Sequence, residues 1–156
     1  MANILWIESG VDNLMYTGRY RDFLRTSHEI DPIVAGCMDD LDSKLSRLYD
    51  LVLLNPYDFY LNPVYRVGQT EPVADELYSI GVKAYEIVRL SSRNSGTPIT
   101  FFNNGLEREP NKALLVDLQR KDPLTKLISL PELSPRDLAR LIQEVVAVRR
   151  LSSLLF

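Results

Sequence analysis

The stretch YDLVLLNPYDF, residues 49 to 59, decides the fold. Leu51 to Leu54 is an apolar run of strand length with no polar residue at alternate positions, so both faces of the strand must be covered. That condition is met inside a parallel sheet carrying helices on both sides. The run ends at Asn55 and Pro56, where proline removes a ladder donor and a cluster of aromatic residues follows.

The rest of the chain repeats this alternation of strand and helix. ANILWI, residues 2 to 7, is a second run apolar on both faces. A helix is expected from about Val11 to Arg25, with Leu14, Met15, Phe23 and Leu24 as core candidates. IDPIVA, residues 30 to 35, reads as a short strand whose Pro32 suits a sheet edge. Asp39 to Tyr49 reads as a helix, because Leu41, Leu45 and Leu48 recur at spacings of four and three. Asp39, Asp40 and Asp42 fit its solvated start, where the helix dipole favours negative charge.

Between residues 56 and 72, Pro56, Pro63 and Pro72 break any periodicity. Tyr57, Phe59, Tyr60 and Tyr65 in this stretch more often pack a long loop than stack a base. A long helix follows, with Leu77, Ile80, Gly81, Ala84, Ile87 and Val88 on one stripe and RNSG, residues 93 to 96, as its stop. PITFF from Pro98 is a fourth strand that ends at Asn103 and Asn104. A helix near Asn111 to Arg120 and a strand near Lys126 to Leu130 come next. The last helix has a clear start, with Ser134 as N-cap, Pro135 in the first position and Asp137 three residues after the cap. Leu138, Leu141, Ile142 and Val145 form its apolar face.

Five strands alternating with five helices imply a three-layer α/β/α architecture around a five-stranded parallel sheet, because parallel crossovers are right-handed and must be covered. The whole chain, 1 to 156, reads as a single domain without repeats. Its 156 residues suffice for a core of this size, and 46% hydrophobic with 25% charged residues is ordinary for a globular chain. A formal net charge of −3 gives no general reason to expect nucleic acid. No apolar run reaches the roughly 20 residues that span a bilayer. The lone Cys37 and the absence of a charged-then-apolar leader suit a cytoplasmic setting. Cys37 reads as a packing residue, and the lone His28 as a surface residue.

The segments ILWIES, YDLVLLNP, GTPITFFNN and LPELSPRDLARLI resemble the receiver domain of two-component response regulators over nearly the whole chain. The resemblance implies a flavodoxin-like sheet ordered 2-1-3-4-5, with a site at the carboxyl ends of strands one and three, where the order reverses. Receivers carry an acidic pair after the first strand, a phosphoacceptor aspartate after the third, a Thr or Ser after the fourth and a lysine after the fifth. The matching positions here are Glu8 and Ser9, then Asn55, Asn103 and Leu130, with Lys126 as a competing register for the last.

These departures remove chemistry. The amide of Asn55 has no oxygen nucleophile with which to form an acyl phosphate. Glu8 is the one carboxylate left to hold a hard cation, and Leu130 supplies no charge to a bound phosphate. Asn55 before Pro56, and Asn103-Asn104-Gly105, also suit simple turns at strand ends. The resemblance therefore implies a degenerate receiver, without cofactor, metal or catalytic residue. It would be a phosphorylation-independent signalling or regulatory module that binds a protein partner, and not a membrane. Self-association through the last two helices and the fifth strand is one form of that partner binding. Arg140, Val148, Arg149 and Leu151 are the candidate surface. A different class is an enzyme similar to the nucleoside deoxyribosyltransferases, with Glu71 or Glu76 attacking a sugar.

Overall fold

The computed structural model describes residues 2–8, 17–55, 74–102, 111–128 and 134–155. The strands are β1 (Ile4–Ile7), β2 (Ile33–Ala35), β3 (Leu51–Leu54), β4 (Ile99–Phe102) and β5 (Thr125–Ile128). The helices are α1 (Thr17–His28), α2 (Met38–Lys44), α3 (Ala74–Leu90), α4 (Asn111–Lys121) and α5 (Pro135–Leu155). The strands form one parallel sheet in the order β2-β1-β3-β4-β5. The parallel sheet is the one expected from the pattern of apolar runs, and its flavodoxin-like order is the one the resemblance implies, with β2 and its preceding Pro32 at an edge.

The period-two alternation of strand side chains splits the core into two layers. Leu5, Ile7, Val52, Leu54, Ile99 and Phe101 point to one face, where Leu41 of α2, Ala84 and Val88 of α3, and Leu115 of α4 cover them. Ile4, Trp6, Leu51, Leu53 and Phe102 point to the other, under Tyr20 and Leu24 of α1 and Leu138, Ala139, Ile142 and Val146 of α5. β1 and β3 are buried at every position, which is why neither shows polar alternation. The indole of Trp6 meets the ring of Phe102 edge-on, with centroids 5.3 Å apart.

α2 is shorter than expected. It ends at Lys44, and Leu45 is buried in its closing turn, but Leu48 is 54% exposed. Tyr49 occupies the core instead, donating its hydroxyl to the Lys44 carbonyl at 2.7 Å. Its backbone N–H donates to Asn94 Oδ1 at 3.0 Å. Aligning the chain for β3 thus stops the helix before its heptad-like pattern is used up. α1 runs three residues beyond Arg25, and Glu29 then takes a left-handed φ of 55°. His28, expected at the surface, is half-buried, with its ring 5.3 Å from that of Phe23 and Nδ1 3.5 Å from Nε2 of Gln143 on α5. Leu14 and Met15 lie outside the described residues.

The start of α5 is as the sequence reads. The Asp137 N–H donates to Ser134 Oγ at 3.1 Å, and Ser134 Oγ donates to Asp137 Oδ2 at 2.8 Å. Each side chain thereby satisfies a group the other would leave open. Cys37 is buried with a free thiol, and Asp39, Asp40 and Asp42 are exposed, both as expected.

At the opposite end of the sheet, Asp122 ties α3 to the turn before β5. It accepts from Tyr85 Oη and from Arg89 Nε, each at 2.6 Å. Burial pushes the Asp122 carboxyl up, but the Tyr85 hydroxyl, the Arg89 guanidinium and the Leu124 N–H together hold it below its ordinary 3.8. A carboxylate depressed in the folded state adds stability above its unfolded pKa and loses it as pH falls through the folded one. Asp122→Asn is therefore expected to cost about 2 kcal/mol near neutral pH. Urea denaturation should show that deficit shrinking below about pH 4, where the wild-type carboxylate is itself being protonated.

Candidate functional site

Glu8 and Asn55 are the residues that follow β1 and β3. The two strands run side by side with Ile7 opposite Leu54, so the sheet delivers both side chains to its carboxyl edge. The ladder continues one step past the strands: the Asn55 N–H donates to the Ile7 carbonyl at 3.0 Å, and the Glu8 N–H to that of Ala35 at 3.2 Å. β1 pairs with β2 on one side and β3 on the other, making this the point where the strand order reverses. Ligands of open α/β sheets collect at such points.

Both polar side chains are buried, Glu8 at 1% exposure and Asn55 at 4%. The Asn55 amide Nδ2 donates to Glu8 Oε1. Trp6, two residues before Glu8 and hence on the same side of the strand, donates its indole Nε1–H to Glu8 Oε2 at 3.0 Å. Each carboxylate oxygen therefore receives an N–H. Turning the amide round would set Asn55 Oδ1 against Glu8 Oε1, oxygen to oxygen, so the carboxylate fixes which end of the amide faces it.

Trp6 completes this hydrogen-bonded group, and in the sequence it stands only as part of an apolar strand. The available signal was its spacing: an indole N–H two residues before a strand-end glutamate lies on that glutamate's face of the sheet.

The geometry decides what the pair can do. A magnesium ion needs near-octahedral oxygen ligands. The part of Asn55 facing Glu8 is an –NH2 group, which donates hydrogen bonds and does not ligate. Between the two strand ends, the Asn55 amide and the Glu8 carboxylate are paired with each other. Among the described residues, no group of three or more His, Cys, Asp or Glu side chains is placed to hold one.

Ser9, Asn103 and Leu130 lie outside the described residues, as do Tyr57, Phe59, Tyr60, Tyr65 and Glu71. Phe102 and Ile128 are the last described residues of β4 and β5, and the expected end of the fifth strand at Leu130 lies outside the described residues. Lys126 is opposite Thr100 in the body of β5 and lines a groove beside α5. It is therefore placed within the strand, short of the sheet edge that carries Glu8 and Asn55. Glu76 lies in the first turn of α3.

No family model matches the chain, and comparison with curated proteins finds no match. The class that can be stated is that of the architecture, a flavodoxin-like α/β fold with a hydrogen-bonded Trp6–Glu8–Asn55 group at its switch point.

Proposed function

We propose that this protein is a phosphorylation-independent signalling or regulatory module of receiver type, which binds protein partners and is not an enzyme. The observation that carries the reading is the hydrogen bond from the Asn55 amide to Glu8. A receiver uses these strand ends to hold a metal ion and a phosphoryl group. Here the same position is filled by a neutral donor and its acceptor, which complete each other without either ligand. A fold can keep its binding surfaces after such a site has closed, because fold and function separate.

The outer face of α5 supports the partner-binding half of the proposal. Val148 is 66% exposed, Leu151 62% and Leu154 83%, and Arg140 is exposed on the same helix. An apolar centre with charged residues around it is the usual composition of a protein interface. Arg149 contributes differently from expectation. Its guanidinium turns inward, donating to the Gly96 carbonyl at 2.8 Å, and so fastens α5 to the domain.

The test is intact mass after incubation with acetyl phosphate and Mg2+. The expected result is an unshifted mass. A phosphate adduct that maps to Glu8 or to the strand ends would overturn the proposal.

A further inference from the structure

β4 and β5 meet α5 unequally along their length. Phe102 and Ile128, toward the carboxyl edge, belong to the core layer that Leu138 and Ile142 of α5 complete. Two residues earlier, on the same face of the sheet, Thr100 and Lys126 stand opposite one another in the ladder. Thr100 is the one polar residue of ITFF and is 1% exposed, whereas Lys126 is exposed. The face beside α5 thus changes from apolar to polar within one pleat, in the amino half of the sheet.

A groove of about 410 Å³ lies at that place, between the two strands and α5. Pro98, Pro123, Leu124, Val145 and Val148 give it apolar walls. Polar groups reach it from both sides, Thr100 and Lys126 from the sheet and Glu144, Arg149 and Ser152 from α5. A mostly apolar recess of this size with a few convergent polar groups is the usual form of a small-ligand site. Its lining holds two cations, Lys126 and Arg149, against one carboxylate, Glu144, which leaves one positive charge. Arg149 is fixed by its bonds to the Gly96 carbonyl at 2.8 Å and to Thr97 Oγ1 at 3.4 Å. Lys126 is in no ion pair among the described residues, so its ammonium is open to a ligand.

We propose that this groove binds a small organic acid with an apolar body. The carboxylate lies at Lys126, where the Thr100 hydroxyl is the neighbouring donor, and the body lies against Pro98, Leu124, Val145 and Val148. A single negative charge matches the single positive charge of the lining. A neutral ligand of the same shape leaves the ammonium without an acceptor, and a cationic one is repelled by it. Glu144 on the helix wall opposes the anion, so the two charged walls act on the ligand with opposite sign. The site is at the other end of the strands from Glu8 and Asn55, and its occupation is independent of their state.

The test is titration with octanoate, followed by amide proton–nitrogen correlation spectra of the whole chain. The expected result is saturable shifts at Thr100, Leu124 to Lys126 and Val145 to Arg149, with a dissociation constant below about 2 mM. The alcohol 1-octanol, which has the chain without the charge, should bind more weakly. Lys126→Gln is expected to raise the octanoate constant about threefold or more, and Glu144→Gln to lower it. Both substitutions are at exposed positions, and dispersed spectra establish that each variant is folded. The comparison of acid with alcohol uses the wild type alone and stands without them. No saturation by about 2 mM octanoate overturns the proposal, as do shifts confined to other residues. Binding of 1-octanol as tight as that of octanoate overturns the assignment of an acid, and so do variants that fail to move the constant in opposite directions.

Discussion

Asn55→Asp is expected to yield a less stable protein that still does not phosphorylate to completion. The wild-type amide offers Glu8 a hydrogen-bond donor in a place where both side chains are at most 4% exposed. An ionised aspartate would offer an oxygen, setting two like charges at hydrogen-bond distance. One of the pair must then bind a proton or the site must open. The cost near neutral pH is about 2 kcal/mol or more, from the lost bond and the uncompensated buried charge. The sign with pH follows: a shared carboxyl whose folded pKa is raised stabilises below the unfolded value and is lost as pH rises through the folded one. The variant should therefore approach wild-type stability in mild acid and fall away from it toward neutrality, as read by urea midpoints. Phosphoryl transfer also needs charge neutralisation that one new carboxylate does not provide. Restoring the set, Ser9→Asp, Asn55→Asp, Asn103→Thr and Leu130→Lys together, is expected to recover some acyl phosphate. Near-complete phosphate occupancy on the single variant would contradict this account.

Asn94→Ala should be among the most damaging substitutions remote from the site. Asn94 is fully buried at the amino edge of the sheet. Its Oδ1 accepts from the Tyr49 N–H at 3.0 Å and from Thr97 Oγ1 at 3.1 Å, and its Nδ2 donates to the Arg47 carbonyl at 2.7 Å. One side chain thus satisfies the backbone of the turn that feeds β3. Alanine leaves the Tyr49 N–H and the Arg47 carbonyl without it. At about 1–3 kcal/mol for the buried Tyr49 N–H and less for the part-buried Arg47 carbonyl, the loss should be about 2–3 kcal/mol. The measurement is the urea midpoint, with an unchanged slope marking a native state otherwise intact. A change under about 1 kcal/mol would mean that water or a shifted backbone replaces the amide.

Elements whose identity rests on local chemistry were legible in the sequence. The runs at residues 4–7 and 51–54 could only be doubly covered strands, and Ser134, Pro135 and Asp137 marked the start of α5 to the residue. Elements set by tertiary competition were not. The spacing of Leu41, Leu45 and Leu48 continues past the point where Tyr49 takes the core position, and no local signal reports that Asn94, far along the chain, holds Tyr49 there. The site shows the same division. Strand ends placed Glu8 and Asn55 side by side, because parallel pairing makes that geometry. The indole of Trp6 closing the other carboxylate oxygen depends on packing against Phe102, a contact between β1 and β4 that periodicity does not encode.

Trp6 is the single tryptophan of the chain and touches Glu8 directly, so its fluorescence reports on the site alone. The most direct measurement is its emission during a Mg2+ titration in the presence of acetyl phosphate. A site completed by the Asn55 amide predicts constant intensity and wavelength up to about 10 mM Mg2+, since a ligand acts on the native state only as its concentration passes its dissociation constant. A saturable change in emission below that concentration, reversed by chelation, would show that the strand ends still bind the ion and would contradict the account.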